Sequence, residues 1–138
     1  DIGVTSISTT GFADNETQFW IHPFRSNQYV YTEIAPFPSI YYEHLKVGEK
    51  WEEKIFILFG WGKFKGKVKS TYEVVGVEPY DYKGEIIEDC WLIEASGEHN
   101  KLGTSKISYL FHPQFGFLYM KYLIYNGVEM EFYLIDRK

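Results

Sequence analysis

The segment 117–136 places the strongest constraint on the fold, because it contains two alternating stretches joined by Asn126-Gly127. Asn-Gly is typical of a two-residue type I′ turn, which needs positive φ at both central positions. Such a turn would place Tyr125 opposite Val128, with side chains alternating between the two faces of the hairpin. The segment therefore predicts an antiparallel hairpin with a defined register.

This register predicts two different faces for the hairpin. On one face, Lys121 would be the single charge among apolar side chains, in the pairs Tyr125–Val128, Leu123–Met130, Lys121–Phe132 and Tyr119–Leu134. The other face would be charged near the turn, where Glu129 and Glu131 lie, and apolar further away. We therefore expect the first face to be covered along most of its length, and the register to be well specified.

Upstream of the hairpin, further segments alternate as β-strands do: 51–60, 67–77, 85–95 and 104–112. Their short connections predict an antiparallel meander. No stretch combines a sustained helical period with helix caps. We therefore expect a mainly β fold with little helix, a single curved antiparallel sheet that forms a half-barrel or a barrel. The whole chain, 1–138, is expected to be one domain, in which 1–18 could be a loosely packed N-terminal segment.

The connections and the N-terminal region have weaker signals. The segments 18–22 and 28–34 are predicted to be short strands, and 11–19 could hold one short helix. The polar stretch 96–103 is predicted to be a loop, and 79–84 a turn.

Composition limits the classes of function. The 138 residues suffice for a core without metal or disulfide support, and the single cysteine, Cys90, allows no internal disulfide. A net charge of −5 and the lack of a basic block argue against nucleic acid as the main partner. The longest apolar run, 55–60, is too short to span a bilayer, so no transmembrane segment is predicted in the chain.

The chain begins at Asp1 without a methionine, which favours a processed protein whose signal peptide or lipid anchor has been removed. Asn15-Glu16-Thr17 also fits the glycosylation acceptor pattern. We therefore expect an exported protein, periplasmic or at the cell surface. The oligomeric state is left open.

Few residues have the arrangement that catalysis or metal binding requires. Cys90 lies beside Asp89 and close to Glu88, and carboxylates raise the pKa of a thiol and reduce its reactivity. No histidine lies two or four positions from another His or Cys, the four being His22, His44, His99 and His112. We predict a non-enzymatic protein with no catalytic residue, no metal site and no cofactor; a small hydrolase using Cys90 or the carboxylates is the open alternative.

Aromatic residues form 20% of the chain, and they fit pleated sheets as well as stacking on ligands. A curved sheet with aromatics on both faces would either be packed inside or enclose an apolar interior for a lipid or another hydrophobic small molecule. The predicted ligand-binding residues are Trp91, Tyr109, Tyr119, Lys121, Leu123, Met130 and Phe132. Lys121 would meet a ligand head group or an internal carboxylate.

Two non-enzymatic alternatives use the aromatics differently. In a carbohydrate-binding or surface-adhesion module, exposed Trp20, Trp51 and Trp61 would form a flat platform for sugar rings, and nearby carboxylates and amides would bind hydroxyls. In a larger envelope complex, aromatics and edge strands would form a subunit interface.

The order of several glycines and aromatics resembles uncharacterised bacterial envelope domains. The residues are Gly48, Trp51, Gly66, Tyr72-Glu73-Val74, Cys90-Trp91 and Phe115-Gly116-Phe117, and they span about 47–135. Those domains are similar in shape to the LolA/LppX-like half-barrel carriers. The resemblance implies an exported, often lipid-anchored protein with a curved antiparallel sheet around an apolar cleft, and it carries over no catalytic residue. The chain departs from such carriers in having no clear helices to plug the cleft, so a closed or packed barrel is the alternative.

Overall fold

The structure is a computed structural model, and it describes residues 12–14, 16–21, 31, 34–57 and 62–133. The described residues form nine strands: β1 (Phe12–Asp14), β2 (Gln18–Ile21), β3 (Ser39–Tyr41), β4 (Lys50–Ile57), β5 (Gly66–Tyr82), β6 (Glu85–His99), β7 (Gly103–His112), β8 (Gly116–Leu123) and β9 (Glu129–Tyr133). Two short 3₁₀ helices, Tyr42–His44 and Gly62–Phe64, come before and after β4.

Strands β4 to β9 form one six-stranded sheet in chain order, and each strand is antiparallel to its neighbours. Its outer strands, β4 and β9, are not paired with each other in the described part of the chain, so this large sheet is open. The predicted mainly β fold with meander topology is therefore confirmed. The predicted loop 96–103 is wrong at its start, because 96–99 continue β6 and pair with 68–71.

A second, small sheet of β1, β2 and β3 was not predicted. Residues 12–14 and 18–21 are strands, so the short helix that the sequence allowed over 11–19 is wrong for the residues described there. Most of the strand predicted at 28–34, and residues 1–11, lie outside the described residues.

The two sheets share one hydrophobic core. Alternation places Tyr72, Ile93, Tyr109 and Tyr122 on the same face of the large sheet, which we call the inner face; all four are fully or almost fully buried. The small sheet lies over this face, where the Phe19 ring packs against Phe111 and Phe117 at centroid distances of 5.5 and 5.3 Å. Other members of the covering layer belong to the same buried cluster, namely Ile34, Ala35 and Ile40.

One side chain joins the sheets by hydrogen bonds. The Tyr109 hydroxyl accepts a bond of 3.1 Å from the Ser39 backbone N–H and donates a bond to the Ser39 carbonyl oxygen. Both residues are buried, so water does not replace these partners. The Tyr109 ring therefore adds apolar surface to the inner face, while its hydroxyl forms the hydrogen bonds that the Ser39 N–H and carbonyl oxygen of β3 require.

The opposite, outer face carries a smaller hydrophobic cluster. It is built where the β5–β6 hairpin reaches beyond the other strands, and pairing irregularities occur there between Val74 and Gly76 and between Glu78 and Tyr80. Such irregularities increase the twist of a strand and turn its side chains. The buried members of the cluster are Ile87, Cys90, Leu110 and Leu118.

The turn at Asn126-Gly127 differs from the prediction. Gly127 has φ +89°, and its N–H donates to the Ile124 carbonyl at 2.8 Å, while the Ile124 N–H donates to the Val128 carbonyl at 2.8 Å. This is a three-residue loop, 125–127, with glycine at the left-handed position. The extra loop residue shifts the pairing by one, so that Lys121 lies opposite Glu131 and Met120 opposite Phe132.

The two-residue turn with positive φ at both positions occurs instead at Lys83-Gly84, between β5 and β6. Their φ values are +53° and +83°, and Tyr82 lies opposite Glu85. The Asp81 carboxylate accepts a 2.8 Å bond from the Gly84 N–H, which supports a lysine in a conformation that costs it energy.

We predict that Tyr109→Phe lowers the free energy of unfolding by about 2 kcal/mol or more, because it leaves a buried N–H and a buried carbonyl of Ser39 without their partner. Urea denaturation followed by circular dichroism measures this. Tyr133→Phe is the control: it removes an exposed hydroxyl bonded to Glu131 and should cost about 0.5 kcal/mol or less. Equal effects of the two variants would show that the Ser39 contact does not hold the sheets together.

A second prediction concerns Gly97, on the inner face of β6. A Cβ atom there would lie 3.0 Å from Pro36 Cδ and 3.1 Å from Ser70 Oγ, so Gly97→Val should destabilise the protein by about 1–3 kcal/mol through overpacking. Gly76→Val is the matched control, because no atom lies within 4 Å of a Cβ at that position. Similar unfolding midpoints for both variants would contradict the close approach of Pro36 to the sheet.

Candidate functional site

The seven residues predicted to bind a ligand do not lie on one surface. Trp91, Tyr109, Met130 and Phe132 belong to or pack against the inner core, whereas Tyr119, Lys121 and Leu123 lie on the outer face. The shift in hairpin pairing explains the separation: it moves the odd-numbered residues of β8 away from Met130 and Phe132. These seven side chains therefore do not share one face of the sheet, contrary to the register that the prediction assumed, and ligand binding by any of them stays a prediction.

The inner residues pack against protein. Met130 is 9% exposed, and Phe132 packs edge to face on Tyr122 with centroids 5.8 Å apart. Trp91 is half-buried against the core. Tyr109 is fully buried and bonded to Ser39 as described above.

The outer residues face solvent or neighbouring polar groups. The Tyr119 hydroxyl donates to the Glu131 carboxylate at 2.6 Å, and Leu123 is 42% exposed. Lys121 is exposed and its Nζ lies 3.7 Å from a Glu129 carboxylate oxygen, so it does not point into an apolar interior. The hydrogen bonds from Tyr119 and Tyr133 lower the pKa of Glu131.

A cleft lies where the small sheet meets the edge strand β4. Its volume is about 440 Å³, and it is lined by Gln18, Trp20, Phe37, Glu53, Lys54 and Ile55. Alternation along β2 explains part of the lining: Phe19 points into the core, so Gln18 and Trp20 point the other way. The Trp20 and Phe37 rings are nearly parallel, with an interplanar angle of 23° and centroids 6.5 Å apart.

The half-buried Glu53 carboxylate is the polar centre of this cleft. One oxygen, Oε2, accepts bonds from the Tyr41 hydroxyl at 3.0 Å and the Ser39 hydroxyl at 3.4 Å. The Tyr72 hydroxyl donates its single proton mainly to the Phe37 carbonyl oxygen at 2.8 Å, and Glu53 Oε1 lies 3.4 Å from the same hydroxyl. The Ser39 hydroxyl in turn accepts a 3.2 Å bond from the Gln18 amide. A carboxylate has about four acceptor positions, so Glu53 can accept a further bond at Oε1.

The same network changes the titration of its tyrosines. Burial, and then the charge and hydrogen bond of Glu53, raise the pKa of Tyr41 to about 12. Burial is also the main reason why the pKa of Tyr72 lies well above its ordinary value, with contributions from Tyr109 and Glu53. These hydroxyls therefore act as hydrogen-bond donors at neutral pH.

The predicted tryptophan platform is only partly exposed. Trp51 is buried between the His44 and Tyr72 rings, with centroid distances of 5.9 and 5.1 Å, so it is wrong as a member of an exposed platform. Trp61 lies outside the described residues. Trp20 is half-buried and is the platform residue that the structure places at a cleft.

Cys90 has the setting of a core residue. It is fully buried, and burial, with the charges of Asp89 and Glu88, raises the pKa of its thiol to about 11. At neutral pH it is a thiol and not the thiolate that nucleophilic catalysis needs. His99 is similarly structural: its Nε2 lies 2.8 Å from the Phe64 carbonyl oxygen, and its Nδ1 accepts from two backbone N–H groups.

Within the described residues, no group of three or more His, Cys, Asp or Glu side chains is placed to hold a metal ion. In the same part of the chain, no helix has the length and apolar character needed to cross a membrane.

Comparison with protein-family models, with curated proteins and with solved structures gives no match to this chain. The resemblance to the half-barrel carriers therefore stays a prediction.

Sequence reasoning missed Glu53, Gln18 and Phe37 as members of one site. The signals that exist in sequence are local: alternation in β2 separates Gln18 and Trp20 from Phe19, and alternation in β4 separates Glu53 from Glu52. Their convergence depends on how the small sheet docks, which no local pattern specifies.

Glu53→Gln should lower the pKa of Tyr41 from about 12 toward its ordinary value near 10, because it removes the carboxylate charge. The pKa should stay above 10, since Tyr41 is still partly buried in the variant. Carbon NMR of ring-labelled tyrosine during a pH titration measures it. Glu52→Gln, on the opposite face of β4, is the control and should not change this pKa. An unchanged Tyr41 titration in Glu53→Gln would contradict the network.

Proposed function

We propose that this protein is a non-enzymatic binding domain that takes a carbohydrate in the cleft between the small sheet and β4. The observation that carries the proposal is the nearly parallel Trp20–Phe37 pair beside the half-buried Glu53 carboxylate. Sugars present apolar CH surfaces next to hydroxyl groups. A cleft with aromatic faces and a polar acceptor matches both features.

The polar residues of the cleft support binding of hydroxyl groups. The Tyr41 and Ser39 hydroxyls hold Glu53 in place through Oε2, so the carboxylate presents its acceptor position at Oε1 with little further loss of side-chain entropy. The Gln18 side-chain amide is linked to Glu53 by the Ser39 hydroxyl, to which it donates. Gln18 adds a second N–H donor and a carbonyl acceptor to the cleft. A ligand hydroxyl can donate to Glu53 while its ring packs on the aromatic pair.

Binding, and not glycoside hydrolysis, is proposed because of the carboxylates that the cleft contains. A glycosidase of the usual kind places two carboxyl groups on either side of the glycosidic bond. Among the described residues that line the cleft, Glu53 is the one carboxylate. Its neighbour in the chain, Glu52, is exposed on the opposite face of β4.

Binding of a hydrophobic ligand stays a prediction, and the structure supports it less than it supports carbohydrate binding. In the described part of the chain, Ile34, Ala35 and Ile40 occupy the inner face where a lipid would sit. Native mass spectrometry with lipid extraction tests it: a co-purifying acyl species would favour it over the carbohydrate proposal. Export to the periplasm or cell surface is likewise our expectation, and fractionation of the producing cells would test it.

The proposal predicts that Trp20→Ala weakens carbohydrate binding roughly fivefold, as loss of about 1 kcal/mol of aromatic contact would. Glu53→Gln should weaken it roughly tenfold, because a charge-assisted hydrogen bond is lost. The measurement is a glycan screen with neutral and acidic oligosaccharides, followed by calorimetry on the best ligand.

The matched control is Phe56→Ser, which removes an exposed aromatic from the other face of β4 and should leave the affinity unchanged. Circular dichroism on each variant separates lost binding from lost folding. The absence of any glycan that binds at millimolar concentration, or a ligand insensitive to both cleft variants, would overturn the proposal.

A further inference from the structure

A second surface lies on the outer face at the β4–β5 end of the large sheet, and it shares Lys54 with the lining of the cleft. Its centre is Phe56, which is 66% exposed. Lysines surround this ring: Phe56 lies opposite Lys67, and Lys54 lies opposite Lys69. We call the set Phe56, Lys54, Lys65, Lys67, Lys69 and Lys101 the Phe56–lysine surface.

Two hydrogen bonds between Asn100 and the Lys67 backbone fix the positions of the residues that carry this surface. The Asn100 side chain accepts a 2.9 Å bond from the Lys67 N–H, and the Asn100 N–H donates to the Lys67 carbonyl at 3.0 Å. These bonds fix the turn after β6 against the start of β5, so Lys101 lies in the same groove as Phe56 and Lys67. The groove has a volume of about 490 Å³.

Two acidic residues lie near one lysine of this surface. Glu52 lies 3.9 Å from Lys69, and Glu98 lies opposite Lys69 on β6. The exposed Lys67 and Lys101 line the same groove as Phe56, so they place positive charge beside its ring. Lys54 and Lys69 are directly opposite each other, an arrangement that destabilises a sheet. An anion bound at this surface would relieve that repulsion.

We propose that the Phe56–lysine surface docks the protein onto an anionic lipid bilayer. An exposed aromatic ring can enter the interface of a bilayer, while lysines around it bind the phosphates of the head groups. The surface lies on the outer face of the edge strand β4 and its neighbour β5, where its side chains are exposed to solvent. A flat partner such as a bilayer can therefore contact it. The chain as a whole carries a charge of −5, so this positive region is the part of the molecule that turns toward an anionic surface.

The test is co-sedimentation of the full chain with phosphatidylcholine vesicles that either contain or lack phosphatidylglycerol. We expect binding to the anionic vesicles, and we expect it to fall as salt is raised because screening weakens exposed charges. The double variant Lys67→Gln/Lys101→Gln should weaken binding about fivefold per lysine. Phe56→Ser should weaken it roughly tenfold, since an apolar side chain no longer enters the interface.

Two exposed residues give matched controls. Lys121→Gln removes a lysine of the same face that is paired with Glu129, and Val128→Ser removes an exposed apolar side chain that lies next to an acidic residue. Both variants should bind vesicles as the parent does. Trp20→Ala should also bind them normally, so failure here is distinguishable from failure of the carbohydrate proposal.

Each remaining outcome overturns the proposal. Equal binding to both kinds of vesicle, or none to either, would remove the role of anionic lipid. Normal vesicle binding by Phe56→Ser would show that the lysines act only as diffuse charge. Binding of glycerol phosphate or of a single-stranded oligonucleotide, lost in the double variant while vesicles are ignored, would assign the surface to a soluble anion or to nucleic acid.

Discussion

The arrangement of the molecule depends on the bond between the Tyr109 hydroxyl and the backbone of Ser39. This contact joins the middle of the large sheet to the small sheet across 70 positions of the chain. It works because the tyrosine ring is part of the core while its hydroxyl takes both backbone groups of one residue. Ser39 is thereby placed so that its side chain reaches Glu53, and the cleft forms beside it. The fold and the candidate site thus share one residue.

The large sheet was predictable because its strands follow one another in the chain with short connections. Alternation in 67–77, 85–95 and 104–112 predicted both the strands and their order. The final hairpin was predicted with the wrong register, since Asn126-Gly127 was assigned a two-residue turn. The positions of the charged residues favour the observed register. It puts Lys121 on the same face as Glu129 and Glu131 and leaves the opposite face apolar.

The candidate site was far less predictable. Strands as short as β1 and β3 have too few residues for periodicity to identify them, and their docking is specified by contacts distant in sequence. Trp20 was predicted to be a sugar-binding aromatic and does line the cleft, whereas Trp51 is stacked inside the core. The difference between the two tryptophans lies in which face of which strand each occupies, and Trp51 shares its face with Glu53, so alternation alone does not separate core from site.

The way in which the two sheets are connected along the chain also has a consequence for the order in which the protein assembles. Every pairing in the large sheet joins neighbours in the chain, so its contacts are local and cost little loop-closure entropy. The small sheet must close a long loop to reach Tyr109, and we expect it to add last. The cleft would then exist only in the finished molecule, and a brief release of the small sheet would open the core to water without unravelling the meander. A ligand bound between the two sheets would hold them closed and so slow amide hydrogen exchange throughout the inner face.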